Sequence, residues 1–364
     1  MKKNSYKKIY DQLFKQLQRG DYRTGQLLPT DMQIASEFCV SRPTVARALS
    51  LLVEEGLIGR KAGYGTFVKK SPRNFHWNIG LVIPGLGETE IFEPICSKIA
   101  EFFDREDVKF NWTAASGYAD RKDAAFRLCR TCIEQKMDGV FFTPVEHVDD
   151  ADNVNARILE QLNEAHIQTV LLDRDVLPWP QQTPHDLVGI DNIQAGFVIA
   201  RHLIENGCKT LLFITRPIPA TTVKLRIMGC REALLQSGLP PDNLRVLEAG
   251  ISDPGAVVDM IRQIKPDALI CANDATAAAL MHSLLDKGTA IPEQMQVAAF
   301  DDVRYAALLS VPLTTYHQPC FEIGLTAAAT MLERLKNPGC SPRRIALKGE
   351  LIVRQSTGQR SDSR

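Results

Sequence analysis

No apolar run in this 364-residue chain approaches the roughly 20 residues that span a bilayer. The first residues, MKKNSYKKIYDQLFKQ, carry lysines with no apolar stretch behind them, so no secretory leader and no membrane partner are expected. G-x-S-x-G, a Walker-type glycine loop and H-E-x-x-H are all missing, which leaves enzymatic chemistry little support. The seven histidines form no cluster in sequence. Nine cysteines, an odd number and scattered, point to reduced thiols in a cytoplasm. Cys129 and Cys132 are the one close pair. Without a second pair or a His pair at ligand spacing they read as packing residues of a helix, and neither metal nor cofactor is expected.

A hydrophobic fraction of 45% and a charged fraction of 24% fit a globular protein with room for two or three domains. The net charge of zero hides an asymmetry. Residues 1–73 hold 14 lysines and arginines against 6 acidic residues, a net of +8, and the remainder carries the compensating −8. A basic segment on an acidic body suits a nucleic-acid-binding head. Within that head, Ser41 to Val68 is the informative stretch. Pro43 sits just inside a helix start that Ser41 or its neighbour can cap. Val45, Ala48, Leu49 and Leu52 make one apolar face, and Arg47 lies about 200° around the wheel from Val45. Gly56 ends the helix. Leu57-Ile58 and Thr66-Phe67-Val68 then read as short strands around the basic turn Lys61-Ala62-Gly63-Tyr64-Gly65. This is the pattern of a winged helix, with the helix sized for a major groove and the glycines letting the wing approach phosphates. Upstream, Ser5 to Gly20 is a helix with Ile9, Leu13, Phe14 and Leu17 as its stripe, and Pro29-Thr30 open a second helix to about Phe38. The basic, proline-broken Lys69 to Asn74 reads as linker.

From Trp77 the pattern changes to short apolar runs alternating with amphipathic helices. Strands are expected at 78–84, 108–113, 139–142, 169–173, 188–191, 210–214, 244–248, 267–271 and 296–300. Helices are expected at 92–103, 119–134, 154–165, up to Glu205, and near 221–237, 254–263 and 274–287. Such alternation predicts mostly parallel sheets covered on both faces, and two successive sets suggest two similar lobes. A ligand would sit at the carboxyl ends of the strands, in the cleft between the lobes.

Two resemblances follow. Residues 6–68 resemble the winged-helix domain of GntR-type bacterial transcription regulators. The matching pieces are Tyr10 to Gly20 with Gly25, Leu28-Pro29-Thr30, Val40-Ser41-Arg42-x-Thr44-Val45, Ala48-Leu49-x-x-Leu52-x-x-Glu55-Gly56-Leu57 and Gly63-x-Gly65-Thr66-Phe67-Val68. Two positions depart from that pattern. Met32 stands where the second helix often carries an arginine, and Ala46 stands where an arginine commonly follows Thr-Val, with Arg47 one place later. Residues 77–357 resemble LacI/GalR-type effector domains, themselves similar to periplasmic sugar-binding proteins. The motifs include Asp191-Asn192-x-x-Ala195-Gly196, Arg226-x-x-Gly229, Ala272-Asn273-Asp274, Phe300-Asp301-Asp302 and Ile323-Gly324. A GntR-type head on such a body is the architecture of arabinose-repressor-like regulators.

The expected fold class is therefore α/β: a winged helix-turn-helix over 1–70, a linker at 71–77, and a two-lobed periplasmic-binding-protein-like domain with parallel sheets over 78–364. The resemblance implies a homodimeric repressor on a double-stranded DNA operator, controlled by a sugar or sugar phosphate. Ser41, Arg42, Thr44 and Arg47 of the helix and Lys61, Gly63, Tyr64 and Gly65 of the wing are the expected DNA contacts. For the effector, vicinal hydroxyls call for groups that give or take two hydrogen bonds at once. Arg226, Asn273 and Asp301 match the family positions, and Asp173, Arg174 and Phe92 are further candidates. Trp179 and Tyr305 are possible stacking surfaces, and Lys224 could meet a phosphate. One alternative stays open, a cytoplasmic sugar- or purine-binding protein without gene regulation; an enzyme with a GntR-type head would need a much longer body carrying a Schiff-base lysine, and no enzymatic activity is expected.

Overall fold

A computed structural model gives the chain as two compact units, Met1–His76 and Trp77–Arg364. The structure describes residues 5–18, 21–22, 24–69, 77–86, 90–106, 108–112 and 120–359. Gly20, most of the expected linker, Thr113 and Ala119 lie outside the described residues.

The first unit is three helices, α1 (Ser5–Gln18), α2 (Asp31–Glu37) and α3 (Arg42–Glu54), followed by the hairpin β1 (Ile58–Lys61) and β2 (Gly65–Val68). The strands are antiparallel, with Ile58 opposite Val68 and Lys61 opposite Gly65. The apolar stripes meet in one core. Ile9, Leu13 and Leu17 come from α1, Ile34 from α2, and Val45, Ala48, Leu49 and Leu52 from α3, closed by Ile58 and Val68. Phe14, expected in the stripe, is only partly buried and stacks on Tyr10 with centroids 5.6 Å apart. Thr30 and Gln33 cap α2 reciprocally, the Thr30 N–H donating to Gln33 Oε1 at 2.8 Å. Ser41 occupies the cap position of α3 but makes no side-chain cap bond, contrary to expectation. Its hydroxyl lies 2.9 Å from that of Thr44, and Pro43 has no N–H to offer. Gly56, at φ +72°, takes the left-handed conformation just past α3.

The second unit begins with β3 (Trp77–Val82), α4 (Phe92–Phe103), β4 (Val108–Phe110), α5 (Arg121–Glu134), β5 (Gly139–Phe142), α6 (Ala151–Glu164), β6 (Gln168–Leu172) and β7 (Asp186–Ile190). It continues with α7 (Asn192–Glu205), β8 (Leu211–Thr215), α8 (Thr221–Gln236), β9 (Leu244–Glu248), α9 (Pro254–Ile264), β10 (Ala268–Cys271), α10 (Asp274–Asp286), β11 (Gln296–Asp301) and β12 (Thr314–His317). It closes with α11 (Cys320–Lys336), β13 (Arg344–Leu347) and β14 (Glu350–Ile352). The sheet of the first lobe has the order β13-β7-β6-β5-β3-β4 and is parallel throughout. The sheet of the second lobe has the order β14-β12-β11-β10-β8-β9, parallel except for β14. Central strands such as β5 and β8 are buried along their whole length because helices cover both faces.

The two lobes are not simply successive. The chain passes from the first to the second at Ile190–Asn192, returns between His317 and Cys320, and crosses again between Leu347 and Glu350. Thus α11 and β13 belong to the first lobe. β13 pairs with β7, more than 150 residues earlier, and no local pattern encodes so distant a pairing. Among the described residues no helix is long and apolar enough to cross a membrane.

Candidate DNA-binding face and effector cleft

In the first unit, α3 presents its N-terminal turn and the wing presents its tip. A helix N-terminus carries partial positive charge suited to phosphate. Arg42 is exposed there, and its guanidinium contacts the Met32 sulfur at the start of α2. Thr44, two residues further on, is half-buried. Arg47 is exposed, but its guanidinium stands 4.3 Å from the ring centroid of Tyr6 on α1, apart from Arg42. At the wing tip Gly63 and Gly65 have φ of +75° and +113°. Tyr64 between them is 54% exposed, lies edge-on to Phe67 and has the Lys61 ammonium 6.0 Å from its ring. Sequence reading missed Arg60. Its guanidinium donates to both carboxylate oxygens of Asp31 at 2.7 Å and ties the wing to α2 across 29 residues of sequence.

In the second unit, all six effector candidates line one cavity of about 50 Å³ between the lobes: Phe92, Asp173, Arg174, Arg226, Asn273 and Asp301. Arg226 is 4% exposed on α8. Its Nε donates to Asn192 Oδ1 at 2.8 Å, its Nη1 donates to the Ala272 carbonyl at 2.8 Å, and its guanidinium lies over the Phe300 ring at 4.3 Å. Asn273 follows β10 and caps α10, its side-chain oxygen accepting from the Thr276 N–H at 2.8 Å. Its amide NH2 remains a donor on the cavity wall. Asp301 ends β11 at φ +115°, a strained conformation for any residue but glycine. Gln318, on the return to the first lobe, donates to Asp301 Oδ1 at 2.7 Å. It was missed because it follows β12, a strand that was not among those expected from the sequence.

On the first lobe, Asp173 has φ +69° and Arg174 is 7% exposed. Arg174 pairs with Glu146, keeps its Nε 3.4 Å from Asp173 Oδ2, and lies 5.9 Å from the Phe92 centroid. Hydrogen bonds join the lobes across the cleft. His147 Nδ1 is 3.1 Å from the Pro217 carbonyl oxygen, and the Thr221 hydroxyl donates to the Asp175 carbonyl at 3.3 Å.

Burial sets the charge states. It pushes the Asp173 carboxyl up, against the pull of Arg174 and Arg226. It raises Asp301 as well, with Arg226 and Gln318 opposing and Asp173 and Glu146 repelling. Asp274 behind it is raised by burial and by the Asp301 charge. Glu146 differs. Burial works against its charged form, yet Arg174, His147 and Arg121 together hold its carboxyl below the usual range. Burial lowers His147.

Other expectations fall elsewhere. Lys224 lines a neighbouring cavity of about 220 Å³ beside Asp150 and Asp152, Trp179 lines a third of about 100 Å³, and Tyr305 is half-buried outside the cleft lining. Cys129 and Cys132 are buried thiols pushed up to about 11 and about 12 by burial. His202 bonds Thr357 at 2.8 Å.

Residues 5–68 match the family described as bacterial regulatory proteins, gntR family, and residues 200–357 match the periplasmic binding protein-like domain. The chain is 24% identical to the arabinose metabolism transcriptional repressor of Geobacillus stearothermophilus, over 97% of both chains. It is 28% identical to the HTH-type transcriptional repressor PurR of Aliivibrio salmonicida, covering 75% of this chain and 80% of that one. Among solved structures, a LacI family regulator from Enterococcus faecalis with bound ribose superposes with a TM-score of 0.66 at 23% identity, over 78% of this chain and all of that one. A CelR–cellobiose complex superposes with a TM-score of 0.66 at 22% identity, over 90% of this chain and all of that one.

Proposed function

We propose that this chain, a transcription regulator joining a GntR-type winged helix to a periplasmic-binding-protein-like effector domain, is a homodimeric repressor released from its operator by an uncharged monosaccharide. The observation that carries the reading is the make-up of the cleft. Three arginines, Arg174, Arg216 and Arg226, face three carboxyl groups, Glu146, Asp173 and Asp301. Arg174 and Arg226 already have protein acceptors, and the carboxyl groups beside them disfavour a phosphate, whereas hydroxyls can bridge such an array. Phe92 offers an apolar face to a ring. Relatives named as an arabinose metabolism repressor and as PurR, and neighbours holding ribose or cellobiose, support a small polar effector. The cysteines, all free among the described residues, support a reducing cytoplasm.

Full-length protein and the DNA fragment upstream of its own gene provide the test. A gel shift should appear, and one pentose or hexose should abolish it while raising the melting temperature of the second unit. No shift with DNA, or no response to any monosaccharide, sinks the reading. Arg42→Ala should weaken that complex about tenfold or more at about 0.1 M salt and reduce the salt slope by about one phosphate contact. Equal affinity of variant and parent would remove Arg42 from the interface.

Effector affinity should depend on pH. Sugar hydroxyls donate best to an ionised carboxylate, and the raised Asp301 carboxyl must lose its proton to accept them. Affinity should therefore rise with pH from about 5 to neutrality, by up to about tenfold per unit for one proton, and then level off. Calorimetry in two buffers of different ionisation enthalpy should register proton release. Proton uptake would contradict the assignment.

A further inference from the structure

We propose that Thr143 holds one hydroxyl of the effector in a side pocket of the cleft, and that this contact selects among sugars. The inference rests on the sugar reading above. Thr143 follows β5 at its carboxyl end, where the backbone is fixed by its N–H donating to the Val82 carbonyl at 3.0 Å. The side chain is 3% exposed and its hydroxyl has no hydrogen-bond partner. Buried polar atoms are nearly always paired, so an orphan beside a cavity marks a place for a partner.

The cavity is there. A pocket of about 20 Å³ is lined by Thr143 together with the apolar Ile83, Phe92 and Val145 and the charged Arg121, Glu146 and Arg174. That is room for one water-sized group. Phe92, Glu146 and Arg174 also line the cleft, so the pocket adjoins it. Arg174 is itself more than nine-tenths buried, and its Nε likewise lacks a hydrogen-bond partner, Asp173 standing 3.4 Å away out of bonding geometry. An acceptor–donor hydroxyl group between apolar walls and an unpaired guanidinium N–H is matched by one oxygen that can both give and take a hydrogen bond. A sugar hydroxyl does this. Glu146 is already held by Arg174, so an analogue lacking that hydroxyl leaves Thr143 unpaired and binds more weakly.

The test uses full-length protein, Thr143→Val and Thr143→Ser. Valine keeps the shape and removes the hydroxyl, and serine keeps the hydroxyl. Each is titrated calorimetrically with D-ribose, L-arabinose, D-xylose and D-galactose, then with the monodeoxy analogues of whichever binds best. Thr143→Val should weaken the preferred sugar about tenfold or more, and Thr143→Ser less than about threefold. One monodeoxy analogue should bind the parent as weakly as Thr143→Val binds the complete sugar, with no further loss when the two changes are combined. Because the hydroxyl is unpaired, the valine variant should melt no lower than the parent. Unchanged affinity in Thr143→Val overturns the proposal. So does an equal loss for every sugar and every analogue, which is the signature of a trapped water. Should the valine variant fail to fold, a parent that binds every monodeoxy analogue within about threefold of the complete sugar overturns it instead. A parent that binds none of the sugars defeats the sugar reading itself, and this inference with it.

Discussion

Gly229→Ala should destabilise the second unit by about 3 kcal/mol or more and remove effector binding with it. A Cβ at Gly229 would stand 1.9 Å from the Ile193 carbonyl oxygen and 2.7 Å from the Phe197 nitrogen, both backbone atoms of α7. Its counterpart Gly196 would meet the Arg226 carbonyl oxygen at 1.9 Å. Real Cβ contacts essentially never fall under 3.0 Å, and no rotamer change relieves a clash between two backbones. The helices must separate. Arg226 lies one turn before Gly229 on α8, so separation also pulls its guanidinium from Asn192 and the Ala272 carbonyl. Urea unfolding followed by circular dichroism measures the effect, with Gly250→Ala as control, since the nearest atom there is Ser252 Oγ at 3.9 Å. A Gly229→Ala protein within about 1 kcal/mol of the parent would mean that the crossing is looser than described.

Asp301→Asn should lower effector affinity about a hundredfold or more while making the protein more stable at pH 8. Burial holds the Asp301 carboxyl above its ordinary range, so the fold prefers the protonated form. The stability from that preference is complete below the unfolded value near about 3.9 and is lost as pH rises through the folded one. Asparagine has the same shape, does not titrate, and still offers an oxygen to Gln318. The variant should therefore melt above the parent at pH 8, and the gap should close toward pH 4. Removing the Asp301 charge should also bring the Asp274 carboxyl down, because that charge is the second cause of its rise after burial. Two results count against this account: retained effector affinity within about threefold, or a parent at least as stable as the variant at pH 8. Arg226→Ala is a poorer probe of the same cleft. It strands Asn192, the Ala272 carbonyl and the buried Asp301 together, and so costs about 3–5 kcal/mol whatever the ligand does.

Legibility followed the range of the interactions. The three-helix head was readable because its signals are local. The Val45, Ala48, Leu49, Leu52 stripe, Pro43 in the first turn and the glycine-tipped hairpin each lie within a few residues. The helix Phe92–Phe103 and the strands at 139–142 and 244–248 were equally plain. Asn273 and Asp301 were nominated by their match to the family positions, and their places at strand ends, like that of Asp173, agree with where doubly wound sheets keep ligands. α8 gave less away. It buries Thr222, Val223, Arg226, Ile227, Cys230 and Leu234 around most of its circumference, so no stripe told whether Arg226 faced solvent or core.

Short-range chemistry in the chain thus decided which segments become helix, strand or wing, and that a basic reader precedes an alternating α/β body. Folding in three dimensions decided the rest: the exchange of α11 and β13 into the first lobe, the meeting of Gly196 with Gly229, the pairing of Arg174 with Glu146, and the place of Thr143 beside the cleft. Periodicity reports only what a residue's near neighbours bury. A hydrogen bond or contact spanning tens of residues has no period, and it exists only once the backbone has brought its two ends together.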